Sequence, residues 1–249
     1  MKRPGGRAIS LETALDGRTA LVTGASRGIG AAIARQLSAA GARVALLART
    51  KPALEEIAEE IGNDAVVIES DLASPASAER AAAGLLKRFD GAPDILVNNA
   101  GIFSIVHLEQ MDVSGFSRML ETNLLAPFIL LRAFLGPMRS RGSGHIVTIG
   151  SSADRTIYPG NAAYSATKFG MRALHEVMRV ETRGSGIRST LVSPAGVDTD
   201  LWESIQFPDS GEEPDRSRMM PPEAVADAVL YVLTRPPAIN IDELRLSPS

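Results

Sequence analysis

The run Thr19-Ala20-Leu21-Val22-Thr23-Gly24-Ala25-Ser26-Arg27-Gly28-Ile29-Gly30, with an alanine-rich stretch continuing to Ala40, decides how this chain is read. A short apolar run with β-branched residues suits a buried strand, and the alanines that follow suit a helix. Three glycines lie between them. Glycine lets the backbone turn sharply and approach a ligand closely, while the helix N-terminus beyond it offers free N–H groups and a positive dipole end. Strand, glycine turn and helix together make a cradle for a pyrophosphate. The spacing is Gly-x-x-x-Gly-x-Gly rather than the commoner Gly-x-Gly-x-x-Gly, and the same physics holds. The plainer alternative is that the glycines only make a tight turn.

Outward from this stretch the alternation continues. Gly41 is followed by an apolar run Val44 to Leu47, and further candidate strands lie at Ala65 to Ile68, Ile95 to Val97, His145 to Ile149, Ile187 to Val192 and Ile239 to Leu246. Helical stretches fall between them near 52–61, 75–89, 111–135, 160–183 and 222–234. Strands separated by helical crossovers form a parallel sheet covered on both faces, so the expected class is α/β, a doubly wound, seven-stranded parallel sheet in a single domain over 17–249. Residues 1–16 read as a flexible arm. Arg-Gly-Ser-Gly occurs at 141–144 and again at 183–186, each time between a helix and a strand, which is helix-ending glycine chemistry.

Composition narrows the function classes. The chain has 249 residues, 45% of them hydrophobic, a net charge of −3 and no cysteine. With no block of like charges, neither nucleic acid nor a membrane surface is expected as a partner, and thiolate chemistry is excluded. The first ten residues lack the apolar run of a secretory signal, and no later run is expected to span a bilayer, so the expected location is cytoplasmic. His107, His145 and His175 are scattered, which gives a metal site no footing. His145 is expected to open a strand, and the other two to lie on loop or helix surfaces.

The type of dinucleotide is told by an absence. An NAD site of this kind usually carries an acid at the end of the second strand to bind the ribose hydroxyls. Between Gly17 and Leu54 there is no Asp or Glu, while Arg49 follows the second strand and Arg27 lies inside the glycine turn. Two guanidiniums suit the extra phosphate of NADP, which a carboxylate would repel. Arginine is also simply common in this chain.

A second cluster carries chemistry. In Tyr164-Ser165-Ala166-Thr167-Lys168, on a helix, the phenol and the ammonium are one turn apart on one face. A cation beside a phenol favours its phenolate, and such a phenol can pass a proton to or from a carbonyl or alcohol oxygen. Ser151 could hold the same oxygen by a hydrogen bond. Only four of the 26 basic residues are lysines, Lys2, Lys51, Lys87 and Lys168, so lysine is a chosen residue here. Alone, Tyr-x-x-x-Lys also fits a surface helix with a snorkelling lysine.

Taken together, the glycine turn, Asn98-Asn99-Ala100-Gly101 after the fourth strand, Asn123, Ser151 and Tyr164-x-x-x-Lys168 resemble the short-chain dehydrogenase/reductase family over about residues 17–246. The resemblance implies a Rossmann-type fold and an NADPH-dependent oxidoreductase that reduces a ketone or aldehyde to an alcohol, reversibly. It assigns Tyr164 as general acid, Ser151 as the group that orients the substrate oxygen, and Lys168 as the support of the phenolate and holder of the nicotinamide ribose. Asn123 would position a water of the proton relay. Cofactor contacts are implied at Gly24, Ser26, Arg27, Gly28, Ile29, Gly30, Arg49, Thr50, Asp71, Leu72, Asn98, Ala100, Gly101, Tyr164, Lys168, Pro194, Val197 and Thr199. Ala195 departs from the glycine usual after that proline. Residues 200–221, rich in Pro, Asp, Glu and Ser, would form a substrate lid.

Alternatives share parts of this set. A 3-oxoacyl-[acyl-carrier-protein] reductase would keep every catalytic residue, but the ending Asn240-Ile241-Asp242-Glu243-Leu244 lacks the Val-Asp-Gly-Gly-like turn of those members. A non-catalytic NADP-binding sensor has no need of the tuned phenol. An epimerase lacks room for its second domain. Helices 111–135 and 160–183 carry surplus apolar residues, for example Leu125 and Phe128, and pair between subunits in the family, which implies a homodimer or homotetramer. Ile102, Phe103, Ala153, Arg155, Ile157 and Tyr158 are expected pocket walls, with Arg155 able to meet a substrate carboxylate.

Overall fold

Strand β1 (Thr19–Thr23) feeds α1 (Gly28–Ala39), and the unit repeats through β2 (Arg43–Ala48), α2 (Lys51–Ile61), β3 (Val66–Glu69), α3 (Pro75–Arg88) and β4 (Ile95–Asn98). The second half runs α4 (Val113–Leu120), a π-helical turn (Glu121–Leu125), α5 (Ala126–Arg141), β5 (Gly144–Ile149), α6 (Ala162–Glu181), β6 (Ile187–Pro194), α7 (Pro222–Leu233) and β7 (Glu243–Leu246). The structure, a computed structural model, describes residues 13–205, 207 and 214–249. All seven strands are parallel, in the order β3-β2-β1-β4-β5-β6-β7. The order reverses direction between β1 and β4, and a ligand crevice opens outside the carboxyl ends of the strands at such a point.

Period-two alternation sorts the core into two layers. On β1, Ala20 and Val22 pack with α1, α2 and α7, while Leu21 faces the layer of α3, α5 and α6. Near-continuous burial along β4 and β5 follows from helices on both faces. The expected doubly wound α/β class is therefore the observed one.

Three boundaries differ from expectation for physical reasons. The helix expected to end at 135 continues to Arg141 through Gly136 and Pro137, because Phe134 and Met138, both fully buried, carry it past the breakers. This makes Val113–Arg141 a 29-residue helix apolar enough to cross a membrane by length and composition, against the expectation of no such run; half of its apolar window is buried. Strand β7 begins at Glu243 rather than Ile239, because the Asn240 side chain pairs with β6 in place of backbone. Its amide nitrogen donates to the Ser189 carbonyl and its oxygen accepts from the Ser189 N–H, each at 3.0 Å. Of the arm expected over 1–16, residues 1–12 lie outside the described set, and Leu15 is core, with its N–H donating to the Ala40 carbonyl at 2.8 Å. Of the two Arg-Gly-Ser-Gly stretches the first ends a helix, Gly142 capping α5 in the left-handed region at φ 73°, whereas α6 is capped by Thr182 ahead of the second, whose Gly184 (φ 74°) turns the chain beyond that cap.

One histidine, His175, corrects the surface expectation, and His145 is in the strand where it was expected. His145 lies within β5 and is buried, with Nε2 3.4 Å from the Thr190 hydroxyl. His175 is not on a helix surface but fully buried, because it faces β5 from α6 and finds the Thr148 hydroxyl at 2.9 Å from Nδ1. Burial disfavours the imidazolium and pushes His145 down to about 3, with Arg188 and Arg18 adding repulsion. Burial likewise pushes His175 down to about 4. Both folded values lie below the unfolded value near ~6.5. The unfolded chain therefore binds more protons below that pH, and this contribution to stability is complete above pH ~6.5 and lost as pH falls toward 4 and 3. Urea unfolding at pH 5 is expected to give a stability about 3 kcal/mol below that at pH 7; equal values would contradict the buried neutral state of both rings.

Candidate active site

At the carboxyl ends of the strands the expected residues meet around one cleft of about 1200 Å³. The glycine turn forms its floor. Gly24 (φ 66°) and Gly28 (φ 54°) take left-handed conformations that favour glycine, and a Cβ on Gly24 would lie 2.9 Å from the Ala100 Cα. A Cβ on Gly30 would run into the Gly24 carbonyl oxygen, so α1 can start this close to β1 only with glycine there. Thr23 and Asn99 tie the turn to β4: the Thr23 hydroxyl accepts from the N–H groups of Asn99 and Ala100 at 3.0 Å, and the Asn99 amide donates to the Thr23 carbonyl at 2.8 Å.

Gly24, Ser26, Arg27, Gly28, Ile29 and Gly30 line the cleft, as do Arg49 and Thr50 after β2, and Asp71 and Leu72 after β3. Arg27 and Arg49 are exposed, and neither guanidinium has an acidic partner among the described residues. Ala100 and Gly101 line it too. Asn98 does not: it ends β4 buried at 4% exposure, and its side chain is without a partner among the described residues. Strand alternation explains this, since Asn98 closes the strand while the loop begins at Asn99.

The chemistry-bearing side chains come from three elements. Tyr164 and Lys168 stand one turn apart on α6, with the Lys168 Nζ 5.5 Å from the Tyr164 ring centroid. Lys168 is only 7% exposed and donates to the Ile149 carbonyl at 2.9 Å, while among the described residues no carboxylate pairs with it. Ser151 follows β5 and lines the same cleft, its hydroxyl accepting from the Ala153 N–H at 3.1 Å. Asn123 sits in the π-helical turn but does not line the cleft. Its amide brackets Ile102, accepting from that N–H at 2.8 Å and donating to that carbonyl at 2.9 Å, and it also donates to the Thr167 hydroxyl at 3.2 Å. Asn123 thus braces the β4 loop against α6.

Pro194, Val197 and Thr199 line the far wall. The Ala195 departure leaves the path intact: its N–H donates to the Leu246 carbonyl at 2.9 Å, and Val197 bridges to Met220. Of the segment expected as a lid, the described residues Leu201, Trp202, Phe207, Pro214 and Met219 line the cleft; 206 and 208–213 lie outside the described set. Among the expected pocket walls, Ile102, Phe103, Ala153 and Tyr158 are in place, whereas Ile157 and Arg155 are not. Arg155 is held by Asp154 at 2.6 Å and Glu243 at 2.5 Å, and the hydrogen bond it donates to Asp154 is the first cause that raises its guanidinium pKa. Ser70, Thr122 and Ile105 are lining residues that the motifs did not single out. For Ser70 the signal was its position at a strand end beside Asp71.

The family described as short chain dehydrogenase matches residues 18–209. The chain belongs to the short-chain dehydrogenase/reductase family. It is an oxidoreductase of that type. Among curated relatives, an uncharacterised oxidoreductase from Staphylococcus saprophyticus is 33% identical over 237 residues, covering 93% of this chain and 96% of the relative. Glycine betaine reductase from Emericella nidulans is 35% identical over 243 residues, 94% of this chain, which spans only 19% of that much longer protein. Among solved structures, a metagenomic short-chain oxidoreductase in complex with NADP is 34% identical with a TM-score of 0.82, covering 95% of this chain and 99% of the other. The closed form of serine dehydrogenase complexed with NADP+ is 31% identical with a TM-score of 0.83, covering 91% and 93%.

Proposed function

We propose that this short-chain dehydrogenase/reductase is an NADP(H)-dependent reductase of a ketone or aldehyde, reversible as an alcohol dehydrogenase. The observation that carries the reading is the buried Lys168 ammonium one turn from Tyr164, opening with Ser151 onto a cleft floored by a glycine cradle. The residues present fit a dinucleotide. The glycine positions leave backbone clear where a Cβ would collide, and Arg27 and Arg49, without an acidic partner among the described residues, suit the 2′-phosphate of NADP. Asp71 and Leu72 would hold its adenine end, and Val197 and Thr199 its nicotinamide end. When bound, the nicotinamide supplies the hydride.

The chain's own residues supply the rest. The Tyr164 hydroxyl gives its proton to the oxygen of the carbonyl as that oxygen gains negative charge, and takes it back in oxidation. The Ser151 hydroxyl donates to the same oxygen and fixes its position. The Lys168 ammonium stands beside the phenol, 5.5 Å from its ring centroid, where the proton is given up. Asn123 acts as a positioning residue in this scheme, keeping Ile102 and Thr167 in register.

The protein is further proposed to work in the cytoplasm as a homodimer or homotetramer, through α5 and α6, where Phe128, Phe169, Val177 and Val180 are exposed. Light scattering should give at least twice the chain mass, and a monomer would contradict it.

Following NADPH absorbance with a carbonyl panel, Tyr164→Phe is expected to lose roughly a thousandfold in kcat with NADPH affinity nearly unchanged. A variant keeping most of its turnover would remove Tyr164 from the mechanism. Arg49→Ala is expected to weaken NADPH about tenfold and NADH hardly at all; equal weakening would mean that Arg49 does not read the phosphate.

A further inference from the structure

The two ends of the cleft are chemically unlike. Arg49 follows β2, three strand spacings from β5, which places it about 14 Å along the sheet from the Ser151 end. Around Tyr164 the walls are aromatic. Phe103 meets the Tyr164 ring edge-on at 4.7 Å, Trp202 meets Phe103 edge-on at 5.6 Å, and Phe207 stacks on Trp202 at 6.5 Å.

The polar edges of these rings are already engaged. The Trp202 indole N–H donates to the Val197 carbonyl at 2.9 Å, and the Tyr158 hydroxyl donates to the Ser152 hydroxyl at 3.2 Å. A ligand therefore meets ring faces and the side chains of Ile105 and Met219, with Ser152 and Asn161 as polar lining beside them.

Cations that could meet an anionic substrate are held elsewhere. Arg155, four residues beyond Ser151, is locked to Asp154 and Glu243 outside the cleft, and the Lys168 ammonium donates to the Ile149 carbonyl. The sequence of 206–213 contains no lysine or arginine. Besides Lys168, His107 is the lining side chain at this end, among the described residues, that can become a cation. A carboxylate placed against the aromatic walls would lose hydration with no arginine to pair it among the described lining residues at this end, whereas a neutral aromatic group would gain apolar contact.

From this we infer, resting on the reductase reading above, that the chamber over Tyr164 and Ser151 takes a neutral carbonyl compound with an aromatic or branched apolar substituent and rejects keto acids and hydroxy acids. Trp202 is the single tryptophan of the chain, so its fluorescence reports occupancy of this chamber without turnover.

The test titrates NADP+-saturated protein with methyl benzoylformate and with benzoylformate, a pair that differs by one negative charge and cannot react with the oxidised cofactor, following Trp202 emission. The ester is expected to bind roughly 100-fold more tightly than the acid. Equal or tighter binding of the acid would overturn the inference, and a preference for the acid that disappears in His107→Ala would identify His107 as the overlooked cation. Saturation by neither would overturn it as well. NADPH oxidation with methyl benzoylformate is measured alongside: selective ester binding with no oxidation of any carbonyl would refute the reductase reading while leaving the chamber's preference in place.

Discussion

A buried ammonium with no carboxylate beside it among the described residues is the constraint on which the site depends. Lys168 is almost wholly enclosed, and its recorded partner is the Ile149 carbonyl at the end of β5. Taking a charge out of water without an opposite charge is costly, and such groups persist where the surroundings over-determine them. Here the surroundings are the carboxyl edge of the sheet, where β5 presents a backbone dipole to the cation and α6 sets the cation one turn from Tyr164. The fold thereby stores, next to a phenol, a positive charge that water does not screen.

Rigidity around that charge comes from side-chain braces between the strand ends. Asn99 and Thr23 lock the glycine turn to β4, and Asn123 locks the β4 loop to α6 from within a π-helical turn. Asp154, fully buried, accepts from the Ser193 hydroxyl at 2.5 Å and so joins the loop after Ser151 to the end of β6. These are side chains substituting for missing backbone pairs at strand ends, where buried polar groups need partners. They make the two ends of the cleft parts of one rigid edge.

The fold was legible because its signal is periodic and local: apolar strand runs, helical runs and the Gly24-to-Gly30 turn each state their own conformation. The pairing of Tyr164 with Lys168 was legible for the same reason, being one helical turn. What escaped depends on partners far along the chain. The start of β7 was hidden because Asn240 imitates a strand through its side chain; the burial of His175 depends on Thr148, 27 residues away. Arg155 read as a pocket residue from its place after Ser151, yet Glu243 draws it off. Asn98 and Asn99 are adjacent and chemically identical, and only the strand end decides which one faces the turn.

The central claim is that Lys168 is buried for chemistry rather than for stability. Thermal unfolding and NADPH turnover of Lys168→Met test it directly, because methionine keeps the apolar stem and removes the charge. The account predicts a Tm at or above that of the unaltered protein, with kcat lowered at least about a hundredfold. A variant that melts far lower while turning over at the original rate would contradict it, and would make the lysine a structural tie between α6 and β5.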